Sequence, residues 1–233
     1  MALTKVGSGV IQDDAVGIAN LGATGTASSS TFLRGDNAWA SAAAGFNSLQ
    51  KFTATGTWTK PAGINKVLVF VTGGGGAGTY RAVDLGQGGG ASGTAIKVVD
   101  VSSISTSVCT IGAGGTGSSS GDPNNGTVGG NTTWVDGTNT VTGVGGGIGS
   151  STGVPGEGST PTNGDVNIVG GSGGGMSDGM GGASFWGNGT NARYSGAYLS
   201  PLTNNVYGAG GGGQRGAAGG GGGPGFVMVL EFK

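Results

Sequence analysis

The chain has 233 residues, of which 60 are glycine, and it carries a formal net charge of −1. Its ten lysines and arginines are scattered, which argues against nucleic acid as a partner, and no apolar stretch approaches the ~20 residues that insert into a bilayer. Disordered chains stay open through high charge and low hydrophobicity, whereas only 9% of these residues are charged. We therefore expect an ordered, all-β, glycine-rich protein.

Composition divides the chain into two predicted domains. Residues 1–45 are rich in Ala, Ser and Thr, and residues 46–233 contain almost all of the glycine blocks. The small-residue stretch 40–45 between them is typical of a linker or a short helix. We predict that the first domain is an extended segment, and that the second is a β base with glycine-rich segments and loops.

The N-terminal domain contains an integrin-type tripeptide, Arg34-Gly35-Asp36. Because Phe32-Leu33 and Ala38-Trp39 flank it, a tight turn is the favoured interpretation. The apolar residues of this domain are too few to form a core, so we expect them to be buried against other chains. They are Val10, Ile11, Val16, Ile18, Leu21, Phe32, Leu33 and Trp39.

Short runs rich in Val, Ile, Thr and aromatic residues, bounded by Gly, Pro or Asn, predict the strands of the second domain. They are residues 52–59, 66–72, 94–101, 107–111, 132–135, 166–169 and 226–232. Residues 67–71 and 226–230 are continuously apolar, which predicts burial on both faces. We expect these two strands to lie close together and to form the base from which the glycine segments extend.

The glycine blocks, such as residues 73–76, 210–213 and 219–223, are candidates for polyglycine II-like helices. Such helices are extended, have three residues per turn and make no internal hydrogen bonds. Their N–H and C=O groups must then pair with neighbouring segments. Ordinary long loops on a β-sandwich remain the alternative, and the strict Gly-x-x period of collagen is absent.

Nothing in the sequence forms a catalytic or cofactor-binding set. The chain has no histidine, the commonest general base and metal ligand. Residues 112–117 match a dinucleotide fingerprint, but residues 118–123 do not open the helix that it requires. Glu157 is isolated between glycines, and the lone Cys109 is expected to be a buried small hydrophobe. We predict a non-enzymatic protein without a metal or cofactor.

Residues 184–207 combine aromatic residues with Arg193, asparagine and glycine, a mixture typical of recognition loops. For Phe185 and Trp186, a local core on the glycine segments is an equal alternative. Lesser candidates are the tips around Tyr80-Arg81, residues 122–125 and residues 160–165. The predicted receptor-binding residues are Phe185, Trp186, Arg193, Tyr194, Tyr198, Tyr207, Tyr80 and Arg81.

The sequence TFLRGDNAW at residues 31–39 resembles a turn found before the distal domains of bacteriophage tail fibres. Residues 52–63 and 67–76, with the closing residues 223–229, are similar to glycine-rich fibre domains. The resemblance implies a virion protein of the phage tail, located outside the cell, that forms a homotrimer. It further implies that residues 1–45 dock to a tail or baseplate protein and trimerise.

The resemblance also implies that the glycine-rich domain attaches to a host surface glycan or outer-membrane protein. Known adhesins of this kind have a separate attachment domain, whereas this chain has its own fibre-like N-terminus. Whether three chains share the glycine region therefore stays open.

Three other functions remain open. The first is a purely structural virion protein, such as a head fibre or decoration, without a receptor. The second, a tailspike-type depolymerase, would need clustered carboxylates. The third, an ice-binding protein, would need a regular Gly-x-x period.

Overall fold

The computed structural model describes residues 22–29, 31–41, 45–119, 121, 126–191 and 206–233. The described residues form strands, turns and extended segments without an α-helix, and none of them belongs to a helix long and apolar enough to cross a membrane. The predicted all-β class is confirmed. The chain separates into two compact units, one ending at Gly45 and the other running from Phe46 to Lys233.

The first unit contains a hairpin of β1 (Thr31–Leu33) and β2 (Trp39–Ser41), which pair antiparallel. The Arg34 N–H donates to the Ala38 carbonyl at 2.8 Å, and the Asn37 N–H donates to the Arg34 carbonyl at 3.0 Å. Asn37 has a φ of 58°, in the left-handed region that asparagine tolerates. The tight-turn interpretation of Arg34-Gly35-Asp36 is therefore confirmed. Most of the apolar residues named for this unit lie outside the described residues.

The second unit is built on two antiparallel sheets. Their strand orders are β11-β7-β5-β13-β3 and β10-β9-β8-β4, and a short parallel pair, β12-β6, lies apart from them. The strands are β3 (Phe46–Phe52), β4 (Gly56–Thr59), β5 (Lys66–Thr72), β6 (Tyr80–Arg81), β7 (Thr94–Asp100), β8 (Thr106–Thr110), β9 (Thr132–Val135), β10 (Thr140–Gly143), β11 (Val166–Ile168), β12 (Gln214–Arg215) and β13 (Phe226–Phe232).

The predicted strands β5, β9 and β13 match residue for residue, and β7, β8 and β11 match within one residue at each end. The predicted strand 52–59 is confirmed at Phe52 and over β4, but it is not continuous. Bends at residues 53–55 separate β3 from β4, because the chain passes there from one sheet to the other. Strand β10, which forms a hairpin with β9, was not predicted.

The core lies between the two sheets. Val67, Val69 and Val71 of β5 are fully buried, and Trp58 packs against Trp134 with ring centroids 5.3 Å apart. Strands β5 and β13 pair directly, as expected. Their predicted burial on both faces is wrong, because alternate residues such as Leu68 and Met228 point to the outer face of the sheet and are only half-buried.

Cys109 of β8 is fully buried in this core, as predicted, and burial raises the pKa of its thiol to about 12. The thiolate is the reactive form, and it is scarce well below that pKa. We expect Cys109 to resist maleimide in the native protein at pH 8 and to react fully in guanidinium chloride. Mass spectrometry of the adduct measures this, and rapid native labelling would contradict the burial.

The glycine segments form a lattice with a period of three. Along residues 73–79 the N–H groups point to three neighbouring segments in turn. Those of residues 73, 76 and 79 donate to residues 87–93, those of residues 74 and 77 donate to residues 127–130, and those of residues 75 and 78 donate to residues 220–223. The carbonyls of the same helix accept from three further segments, at residues 115–118, 146–149 and 211–214. This is the pattern of an extended three-residue helix within a hexagonal array, and it confirms the polyglycine II-like prediction.

The lattice explains why glycine occurs at nearly every position and not at every third. Six neighbours surround the helix at residues 73–79, so all of its faces touch backbone. A Cβ at Gly74 would overlap the carbonyl oxygen of Ala113, and a Cβ at Gly76 would overlap that of Gly147. Collagen places only one residue in three at its crowded axis.

Candidate functional site

The glycine helices end in loops at the far side of the lattice. The chain leaves the five-stranded sheet after Thr72 and reaches β6 at Tyr80. At a rise of ~3.1 Å per residue, this path places the loop roughly 20 Å beyond the sheet. A second path runs from Gly208 to β12, which pairs parallel with β6. We call the loops at this end the distal tip; its described residues are 80–85, 119, 121, 150–154, 175–179 and 214–216.

A cleft of about 360 Å³ opens on the distal tip. Its walls include parts of three separate loops, and its lining residues among those described are Tyr80, Arg81, Ala82, Val83, Gly121 and Ser151. The volume falls at the lower end of the range of small-molecule sites, which is roughly 300–1,000 Å³. The lining combines an aromatic ring, a guanidinium and exposed apolar surface.

Arg81 connects the loops around this cleft. Its Nη1 donates to the Ser151 carbonyl at 3.4 Å and lies 3.2 Å from Met176 Sδ. Its Nη2 lies 3.7 Å from Asp84 Oδ2, a weak pair at the surface. The backbone N–H of Tyr80 donates to Ser118 Oγ at 2.5 Å, which fixes the strand that carries both residues. The guanidinium therefore contacts two other loops and retains donors for a ligand.

The described residues that line the cleft include no carboxylate. Among the described residues, no three Cys, Asp or Glu side chains lie together as metal ligands would. The described part of the lining offers a phenol, a guanidinium, a serine and aliphatic surface, which suit binding through contact area and hydrogen bonds.

Three of the predicted recognition residues lie at the base, not at the distal tip. Tyr207 stacks on Phe226 with ring centroids 4.3 Å apart, and Trp186 meets the same ring edge-on at 5.1 Å. The Trp186 indole N–H donates to Thr72 Oγ1 at 2.7 Å. Phe185 packs against Phe70 and remains exposed. These contacts close the junction between the glycine helices and the sheet.

The other predicted residues divide into two groups. Tyr80 and Arg81 line the cleft, whereas Arg193, Tyr194 and Tyr198 lie outside the described residues, as do residues 122–125. Asp165, from the candidate tip 160–165, lies at the sheet edge. Its carboxylate accepts from the Val98 N–H at 2.9 Å and from Lys97 Nζ at 3.2 Å, and these bonds lower its pKa.

Sequence reasoning missed Val83, Ser151 and Met176 at the distal tip. A usable signal was present, because each lies in a short non-glycine interruption between two glycine runs. Once neighbouring runs are assigned to helices of one lattice, an interruption of three or more residues is a candidate turn at one of its ends, whereas a single residue such as Ala77 can remain within a helix.

A family model described as a glycine-rich domain matches residues 48–230. The match extends from β3 to β13 and includes both sheets and the whole lattice. A search of curated proteins found no match to the chain.

Proposed function

The chain belongs to the glycine-rich domain family, and we propose that it is the receptor-binding protein of a bacteriophage tail fibre. In this proposal the distal tip contacts the host cell surface, residues 1–45 dock to a tail or baseplate protein, and the protein works as a homotrimer. The observation that carries the proposal is the cleft at the end of the lattice, remote from the two antiparallel sheets of the core.

The physical argument concerns where the chain is rigid and where it can vary. Each lattice helix is held by backbone hydrogen bonds to several neighbours, so the loops start from fixed positions. Binding residues are commonly found on loops that a rigid scaffold positions. A change in one loop leaves the lattice bonds intact, so different surfaces could be recognised without redesign of the fold.

A binding assay on whole bacteria tests the proposal. The fluorescently labelled full chain is added to a panel of Gram-negative strains, and bound protein is measured by flow cytometry. We expect saturable binding to some strains only. Purified lipopolysaccharide as competitor would separate a glycan receptor from an outer-membrane protein.

The substitution Arg81→Ala is expected to weaken binding to a responsive strain at least tenfold, because it removes the guanidinium of the cleft. The matched control is Arg34→Ala, since Arg34 is also an arginine paired with a nearby aspartate but lies in the hairpin of the first unit. It should bind like the unchanged protein. Equal loss of binding in both variants would contradict the role of the distal tip. If the unchanged protein binds to no strain, the purely structural virion protein is favoured instead.

A further inference from the structure

The five-stranded sheet has an apolar outer face. Alternate residues of β3, β5, β7, β11 and β13 point away from the core, and Phe185 lies above Phe70 on the same side. Their apolar members are Phe46, Leu49, Leu68, Phe70, Ile96, Val98, Val166, Ile168, Met228, Leu230 and Phe232. We call these side chains, together with Phe185, the outer face.

This face is unusual for an antiparallel sheet. Such a sheet with one solvated side normally alternates apolar residues inward and polar residues outward. Here Val98 is 56% exposed, Val166 is 53% exposed and Phe46 is 61% exposed, and the residues between them are half-buried. The continuous apolar runs at residues 67–71 and 226–230 thus supply two apolar faces, of which the described residues bury one.

The exposed area is large enough for a stable interface. With each large apolar side chain offering on the order of 150–200 Å², the outer face exposes about 700 Å². The largest apolar patch of a typical monomer covers roughly 300–600 Å². A standard protein interface buries about 800 Å² on each partner. The exposed apolar area of the outer face is therefore close to the area that one partner contributes to such an interface.

The charges around the outer face favour a partner with the same surface. They are Lys51, Lys66, Lys97, Asp100 and Asp165, and they lie at the ends and edge of the sheet, where Lys97 pairs with Asp165. An apolar centre with a polar rim is the usual anatomy of an interface. A rim with charges of both signs can face its own copy without net repulsion, as a symmetric contact requires.

We infer that the outer face packs against a second copy of this chain. This contact lies on the sheet base of the glycine-rich unit, so it adds an interface to the trimerisation proposed for residues 1–45. It does not depend on a receptor, and its test is independent of the binding assay.

Thiol labelling of the full chain tests the contact. Val98→Cys and Val166→Cys place a thiol on the outer face, and Val154→Cys places one at the distal tip, where Val154 is 57% exposed. Because the exposures are matched and Cys109 is buried, maleimide labelling reports the introduced thiol. Rates are measured by mass spectrometry, with the mass of the protein in solution followed by light scattering.

We expect the two outer-face thiols to label at least tenfold more slowly than the thiol at residue 154, in a protein that is oligomeric. Dilution that dissociates the oligomer should raise the two slow rates towards the third. Equal rates at all three positions would overturn the inference. Slow labelling in a monomeric protein would overturn it as well, because the chain itself would then cover the face.

Discussion

Gly75→Ala is expected to lower the free energy of unfolding by more than about 4 kcal/mol, or to prevent folding of the glycine-rich unit. Gly75 lies in the lattice helix that six neighbours surround, and a Cβ there would overlap the carbonyl oxygen of Ala209. That carbonyl already accepts from the Gly223 N–H at 2.8 Å. Relief of the overlap must move backbone, and therefore breaks lattice hydrogen bonds.

Guanidinium unfolding, followed by tryptophan fluorescence, measures the change, since Trp58 and Trp134 are buried. Gly175→Ala is the matched control. No atom lies within 4 Å of a Cβ at Gly175, and its φ is outside the left-handed region. That variant should be unchanged or more stable by about 0.4–1 kcal/mol, because alanine restricts the unfolded chain. Equal stability of the two variants would show that the lattice tolerates side chains.

The lattice could be predicted in kind but not in topology. Low charge and strong β-forming runs beside the glycine blocks indicated packed glycine, and the absence of a Gly-x-x period excluded collagen. Which segments are neighbours could not be predicted, because glycine has no side chain to encode a partner. The segments pair mainly through backbone hydrogen bonds, as between Gly76 and Gly90 or Gly75 and Gly223, with a few bonds to side chains such as Thr79 and Thr190.

Strand β3 shows a second limit of sequence reasoning. Its sequence, FNSLQKF, places Ser48 and Gln50 towards the interior, so it lacks the apolar alternation that predicts a strand. Both side chains donate to the carboxyl group of Glu231 in β13. The polar residues of one strand therefore depend on a buried residue about 180 positions later, a relation that local patterns do not contain.

The candidate site was predicted only in part, for a related reason. Tyr80 and Arg81 follow a glycine run directly, and the structure places them at the distal tip. Trp186 and Tyr207 belong to a segment whose composition is typical of recognition loops, yet both rings pack against Phe226 at the base. Aromatic residues serve packing and recognition equally well, and only the position in the fold distinguishes the two uses.

Glu231→Ala is expected to lower the free energy of unfolding by about 3 kcal/mol, through a cavity and unpaired donors. Glu231 is fully buried. Its Oε1 accepts from Gln50 Nε2 and from Trp58 Nε1, both at 2.7 Å, and its Oε2 accepts from Ser48 Oγ. Without the carboxyl group, the indole N–H of Trp58 remains buried with its acceptor removed.

Glu231→Gln separates hydrogen bonding from packing at the same position. Its amide oxygen can replace Oε1 for Gln50 and Trp58, and its NH₂ group can donate to Ser48 Oγ, because a hydroxyl can rotate to accept. We expect its free energy of unfolding to lie within about 1 kcal/mol of the unchanged protein. Guanidinium unfolding at pH 7 compares the two variants, and equal losses would contradict this argument. Because Glu231 belongs to β13 and Trp58 to β4, this bond joins the two sheets that support the whole lattice.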